Sequence, residues 1–307
     1  MKVTSVAPAN IAFIKYWGRK DAILRTPYNA SISMNLSACT TTTTVEFSSD
    51  YVKDTVSEGF DEQRIIEHVD RLRKLAGVSL CANIITKNSF PTSAGIASSA
   101  SGFAALTVAA AAALELHLSE KELSELARVG SGSACRSIPD GFVKWEDTFA
   151  YSLYPHEYWD LRDILVIVEN NAKDVSSSAG HDLVETSPYF KQRLKHLPAR
   201  MEKLEEALQT KNFQSLGEII EEDCLDMHHV MQTQDPPLYY WNDKTKQVMS
   251  DLKKSGLSAY FTIDAGPNVH IICEGENEQN VVAYFAKWPV IVNTPARGAR
   301  IVSKASD

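Results

Sequence analysis

The sequence predicts an α+β protein made of two halves that share one cleft. Three observations carry that reading. The first eighty residues alternate polar with apolar or β-branched residues, as half-buried strands do. From about Ser187 to Gly256 the apolar spacing turns helical, in "YFKQRLKHLPARMEKLEEALQT", "FQSLGEIIEEDCLDMHHVMQT" and "TKQVMSDLKKSG". "SAYFTIDAGPNVHIICE" then returns to a strand pattern before a last helical stretch, "NEQNVVAYFAKW". Strands and helices are intermixed around a helical middle, and the division is expected near residues 180 and 181, giving halves of 1–180 and 181–307.

In chain order, "SISMNLS" and "TTTTVEFS" read as strands. "EQRIIEHVDRLRKLAG" changes to helical spacing and ends on Gly77, which suits the left-handed residue that closes a helix. "SLCANIITKNSF" reads as a strand and delivers the chain to "PTSAGIASSASG", followed by an Ala-rich helix. "LSEKELSELARV" opens on Ser119 with Glu122 three residues later, the spacing of a capping box. It runs into a second glycine and serine cluster, "GSGSACRS", and then "GFVKWED" and "ILVIVEN" read as strands.

Composition narrows the function. With 307 residues, 44% hydrophobic and 23% charged, the chain has an ordinary globular make-up. A net charge of -8 argues against a general nucleic-acid or anionic-membrane surface, yet local cations can still hold a small anion. No stretch reaches the roughly 18 apolar residues needed to span a bilayer. The N-terminal "MKVTSVAPANIAFIKYW" lacks a continuous apolar core and a clear cleavage site, so no secretory signal is expected. Five scattered cysteines without CxxC spacing suggest free thiols in a reducing, cytoplasmic setting.

Four clusters stand out. "PTSAGIASSASG" packs two glycines and five hydroxyl side chains into twelve residues before a helix. It reads as a phosphate cradle at a helix N-terminus or as a serine-capped helix start. "GSGSACRS" adds Arg136, a planar bidentate partner for a carboxylate or phosphate, or a surface arginine on a tight turn. "YFTIDAGPNVHI" puts Asp264 at a sharp turn, where it either faces a cleft or merely forms the turn. "APANIAFIKYWGRKD" places Lys15, Arg19 and Lys20 among aromatics, as an anion site or an edge strand with snorkelling bases. A phosphate cradle, cations and one carboxylate together suit ATP-dependent phosphoryl transfer to a small acid.

"PTSAGIASSASGFAAL" resembles the phosphate loop of the GHMP kinase superfamily. With "NIAFIKYWGRKD", "PYNASISMNLS", "GSGSACRSIPDGFVKW", "KDVSSSAG", "DPPLYYWND" and "YFTIDAGPN" in the family's order, the chain is similar to the mevalonate diphosphate decarboxylases. The resemblance implies a GHMP-kinase-like fold, with an N-terminal ribosomal-protein-S5-like half, a C-terminal ferredoxin-like half and the active site in the cleft. It implies ATP and Mg2+, with no dedicated all-protein metal cage, and a homodimer. The implied reaction is 3-O-phosphorylation of mevalonate 5-diphosphate, then loss of phosphate and CO2 to give isopentenyl diphosphate.

Residue by residue, the resemblance makes Asp264 the group at the substrate 3-hydroxyl, Arg136 the grip on the carboxylate, Lys15 the active-site lysine and Asn10 its neighbouring asparagine. Tyr16 and Arg19 fall on the diphosphate, and Ser131, Ser133 and Ser177 on the substrate side. Gly95, Ala97, Ser98, Ser99, Ser101 and Gly102 fall in the ATP loop. The chain departs from the family's pattern at Ala30, at Pro139-Asp140, at Ser178 (arginine in some bacterial members) and at His181, where methionine is usual. These departures bear on the choice between a diphosphate and a monophosphate tail. Asp264 argues against a relative that only phosphorylates. His228 and His229 are adjacent and so face apart on a helix, which disfavours a metal pair. Trp145 and Trp241 read as packing, and Cys135 as a small packed residue.

Overall fold

A computed structural model of the chain describes residues 1–90, 98–169 and 177–305. Strands β1 (Lys2–Ile14), β2 (Ser31–Ser48), β3 (Thr55–Val56) and β4 (Cys81–Asn88) form the first sheet with β5 (Phe142–Glu146), β6 (Phe149–Tyr154) and the late strand β11 (Arg300–Ala305). The order is β11-β1-β2-β4-β3, with β5 on the far part of β2 and β6 on β5. β1 pairs with β2 along its length, whereas β11 covers only Lys2–Val6, so among the described strands the stretch from Ala7 to Ile14 has β2 as its neighbour on one side alone. The two strands read in 31–48 are one long β2. Its register on β1 jumps from Pro8↔Thr40 to Ala9↔Leu36, so the intervening residues bulge and the strand bends.

Helix α1 (Glu62–Ala76) starts on the Asp61 side chain and ends at Gly77, left-handed with φ 68°. α2 (Ser98–Ala113) is the Ala-rich helix; nearly every face is buried, so it is a core helix lying against β1 and β2. α3 (Glu120–Gly130) carries the complete Ser119/Glu122 capping box.

A short 3-10 turn (Gly132–Ser137) links α3 to β5. The second sheet has the order β10-β7-β9-β8, all antiparallel, from β7 (Leu161–Val166), β8 (Ala259–Thr262), β9 (Val269–Glu274) and β10 (Val290–Asn293). Between β7 and β8 come α4 (Ser177–Asp182), α5 (Phe190–Thr210), α6 (Phe213–Thr233) and α7 (Asp243–Ser255); α8 (Glu278–Tyr284) precedes β10. Pairing thus passes from the first sheet to the second between Tyr154 and Leu161, and the chain returns to the first with β11.

The halves are fused rather than linked. One apolar core contains Ile11, Phe13, Ile32 and Met34 of the first sheet together with Ile164, Phe261 and Ile271 of the second and Leu216 and Ile220 of α6. A separate core under α2 holds Val45, Val69, Leu72 and the inward alanines. The end of β1 is therefore packed directly against the second half, and that junction carries the site.

Candidate active site

Lys15 is the first residue past β1, and its peptide is held by charged groups from the other half. Its N–H donates to Asp223 Oδ2 on α6 at 2.7 Å. Its carbonyl accepts from Arg193 on α5 at 3.3 Å and from Asn29 at 3.0 Å. Asp223 is fully buried and also accepts from Arg193 and Arg200 (3.1 and 2.9 Å). A buried charge is tolerated only when paired and hydrogen-bonded in this way.

The side chain so aimed reaches Asp264. Lys15 Nζ lies 2.6 Å from Asp264 Oδ1; the lysine is buried, whereas the carboxylate is about a quarter exposed (26%). Asp264 stands just beyond β8, in a turn closed by Gly266 N–H donating to its carbonyl (2.8 Å). Burial pushes the carboxyl pKa up, but Lys15, His270 and Arg136 outweigh it and hold it below the usual carboxylate range. Asp264 is thus an ionised, partly exposed acceptor at the junction of the two halves.

Arg136 comes from the 3-10 turn and is almost wholly buried. Its Nε donates to Asn10 Oδ1 (3.1 Å) and its Nη1 to Ser31 Oγ (2.7 Å), while its face lies 5.7 Å from the Trp145 ring. Asn10 in turn donates to Ser137 Oγ and the Ser133 carbonyl (2.9 and 3.2 Å). Asn10 therefore holds the arginine and its turn from behind.

Tyr16 lies against Trp145 on one side and His181 on the other, with ring centroids 4.5 and 4.4 Å away. Any side chain at position 132 would strike the Tyr16 ring, since a Cβ there would come within 3.1 Å of three of its atoms. Burial raises the phenol pKa against the pull of Arg19, Arg25 and Arg136, so Tyr16 stays a neutral donor. Arg19 pairs with Asp182 at 2.5 Å. Ser131 closes α3, and its hydroxyl lies 3.1 Å from that of Ser99 on α2, joining the substrate-side turn to the helix start.

At that helix start, Ser98, Ser99 and Gly102 line a cavity of about 190 Å³ with Thr86, Arg64 and the apolar Phe60, Ile65, Phe103 and Leu106. The N–H groups of a helix start, with hydroxyls and a guanidinium, fit a phosphate chain, and the apolar wall fits a flat base. The cavity offers hydroxyls and one carboxylate, Asp61, whose oxygen already accepts from the Arg64 N–H of α1. The donor set therefore fits Mg2+ carried on nucleotide phosphates and water rather than caged by protein. Among the described residues, the one three-residue group with metal-ligating atoms close together is Asp140, His156 and Glu157, where each carboxylate already contacts a histidine nitrogen (3.1 and 2.9 Å).

One residue expected in the nucleotide loop faces elsewhere. Ser101 is fully buried, and its hydroxyl is shared with Thr41 on β2 at 2.6 Å. Three positions past Ser98 on a helix, it points back at the sheet and anchors α2 there. Gly95 and Ala97 lie outside the described residues, as does the side chain of Ser177. His228 is buried with Trp241 Nε1 3.2 Å from its Nε2, while His229 is exposed on the opposite side. Nε2 also lies 3.3 Å from the Ile263 carbonyl; since it accepts the tryptophan N–H, that second approach is a contact and not a hydrogen bond. Trp145 is buried in a small cluster with Val143 and Ala150, Trp241 packs half-buried against the core shared by the two halves, and Cys135 is buried, its thiol pushed up to about 12 by that burial.

Sequence reasoning missed Asp223, Arg193 and Ser31. The one available signal was Asp223, an acid on the buried face of α6 in line with Ile219, Ile220, Met227 and the equally buried His228. Only the fold shows that its partner is the Lys15 peptide.

Known proteins resemble this chain over nearly its whole length. Residues 7–152 match the model of the diphosphomevalonate decarboxylase-like N-terminal domain, and residues 164–301 that of the mevalonate 5-diphosphate decarboxylase C-terminal domain. The diphosphomevalonate decarboxylase of Ganoderma lucidum is 37% identical over 94% of this chain and 82% of its own. The mevalonate diphosphate decarboxylase of Staphylococcus aureus superposes with a TM-score of 0.93 at 36% identity, covering 98% of both chains. A further solved structure, a complex with MVAPP, AMPPCP and magnesium, superposes with a TM-score of 0.92 at 35% identity over 99% of each chain. The α+β architecture with two sheets and one intervening cleft is that of these relatives, and the chain belongs to the diphosphomevalonate decarboxylase family.

Proposed function

We propose that this chain catalyses the ATP-dependent decarboxylation of mevalonate 5-diphosphate to isopentenyl diphosphate. The observation that carries the reading is the Lys15–Asp264 pair, 2.6 Å apart across the two halves, in a cleft that also holds Arg136. ATP lies with its phosphates at the start of α2. Mg2+ would be carried on those phosphates and not in a protein cage, and would supply charge neutralisation for the transfer.

Asp264 accepts the hydrogen bond of the substrate's 3-hydroxyl and turns its oxygen toward the γ-phosphorus. A carboxylate held this acidic orients the hydroxyl more than it deprotonates it early, which suits a loose phosphoryl-transfer transition state. The O–P bond forms, the bond from the γ-phosphorus to the bridging oxygen breaks and ADP leaves. The hydroxyl proton is lost toward the carboxylate. Phosphate then departs from C3 with the bonding pair. The C1–C2 pair moves in to form the C2=C3 double bond, and CO2 is released. Arg136 grips the carboxylate so that this bond is aligned, and Tyr16, Arg19, Ser131 and Ser133 hold the tail phosphates.

The test is turnover of mevalonate 5-diphosphate and mevalonate 5-phosphate side by side, with ADP and CO2 both measured. Equal ADP and CO2 with a higher kcat/KM for the diphosphate is expected. ADP without CO2, or preference for the monophosphate, refutes the assignment. A cytoplasmic setting is supported by five cysteines that are all free, four of them buried. A homodimer rests on the family resemblance and is checked by sedimentation.

A further inference from the structure

His181 is a side chain that no step above uses, yet it packs directly on Tyr16. Its ring is wedged between Tyr16 and Trp17, 4.4 Å from each, at interplanar angles of 30° and 33°. The Gly18 N–H donates to its Nδ1 at 2.8 Å. An imidazole nitrogen that accepts carries no proton, so in the neutral ring the hydrogen is on Nε2. Among the described residues Nε2 has no hydrogen-bond partner, although the residue is only 9% exposed. Nε2 is not one of the sealed buried nitrogens, so its N–H keeps access to solvent and is available to a ligand acceptor.

The surroundings say what kind of acceptor fits. Burial, then the charges of Arg19, Arg25 and Arg136, push the imidazole pKa down to about 3, so the ring is neutral at working pH. Those guanidiniums and the neutral Tyr16 phenol make the neighbourhood anion-seeking within a chain of net charge -8. Arg25 holds a left-handed backbone (φ 54°), and its Nε donates to the Val129 carbonyl at 3.0 Å, beside the Gly130–Ser131 turn.

We propose that His181, through its Nε2–H, donates a hydrogen bond to a tail phosphate of the substrate and so helps to set the enzyme's preference for the length of that tail. The proposal rests on the functional reading above. It makes the histidine a specificity residue on the wall formed by Tyr16 and Trp17, held in one tautomer by the Gly18 peptide.

The experiment compares wild type with His181→Met, which fills similar space without the donor, and His181→Gln, which keeps an acceptor for Gly18 and an N–H donor. The Met variant is expected to raise KM for mevalonate 5-diphosphate about tenfold or more, the worth of one hydrogen bond to a charged group, with KM for ATP unmoved. The Gln variant should recover much of that loss. A purely structural role would move both KM values together and lower the unfolding midpoint in step. A second readout is calorimetric binding of inorganic pyrophosphate to the enzyme saturated with ADP, which needs no turnover. Pyrophosphate binding weakened in the Met variant and recovered in the Gln variant supports the proposal; equal binding by all three overturns it. If wild type proves inactive on mevalonate 5-diphosphate, the functional reading fails, while the pyrophosphate comparison still decides the role of His181.

Discussion

Replacing Lys15 by methionine keeps the length of the buried stem and removes the ammonium that sits 2.6 Å from Asp264. Three consequences follow from the surroundings. Asp264 loses its largest favourable charge and a direct hydrogen bond, while the burial that opposes ionisation stays. A hydrogen bond to a charged group contributes about 1.5–3 kcal/mol. If that is expressed in the transition state, kcat falls roughly ten- to hundredfold. The carboxyl pKa then rises, so the acid limb of the pH–kcat profile moves to higher pH. The sign for stability is the same: a carboxylate with a depressed folded-state pKa stabilises the fold above its unfolded pKa, and loses that contribution as pH falls through the folded value. Lys15→Met shrinks this contribution because the depression is smaller. The assay is steady-state CO2 release across pH, with urea unfolding near neutrality and in acid. An acid limb that stays in place, together with kcat within about threefold of wild type, would refute the view that Lys15 sets the state of Asp264.

Arg136→Gln should raise KM for the substrate by roughly ten- to hundredfold and leave KM for ATP in place, because a neutral amide cannot make the charge-assisted fork; kinetics with each substrate varied in turn check this. Asp223→Ala removes the buried acceptor of the Lys15 N–H and one carboxylate partner from each of Arg193 and Arg200, which keep Asp226; it should cost about 1–3 kcal/mol in urea unfolding, with Asp223→Asn milder because it still offers an acceptor to the Lys15 N–H. Ser101→Ala should cost on the order of 1 kcal/mol of stability through its lost bond to Thr41, with KM for ATP unmoved. A large rise in that KM would return Ser101 to the nucleotide loop.

Much of the local structure was legible in the chain, because caps and periodicities act over a few residues. The Ser119/Glu122 box, the left-handed Gly77 and the three long helices after Ser187 all form as their patterns imply. Gly132 likewise sits where its residue type implies a close approach, against the Tyr16 ring. Strand neighbours were less legible. "KVTSV" reads the same at a sheet edge or inside it, and only β11, contributed by the last residues described, places Lys2–Val6 between two strands. "ILVIVEN" is a strand in either half, and its pairing with β9 and β10 is a tertiary choice.

By itself the sequence determined the long helices, the helix ends at Gly77 and Ser119, and a set of groups, Lys15, Arg136 and Asp264, suited to chemistry on an acid. The tertiary structure decided which of them meet. Lys15 and Asp264 are 249 residues apart, and only the shared core between the halves brings them to 2.6 Å. It also turned Ser101 inward, and it set Asp223 and Arg193 on the Lys15 peptide and His181 on the Tyr16 wall. The physical reason is the range of the forces. Caps and periodicities are settled within a turn or two of chain, whereas charge pairing and burial depend on which surfaces the fold presses together.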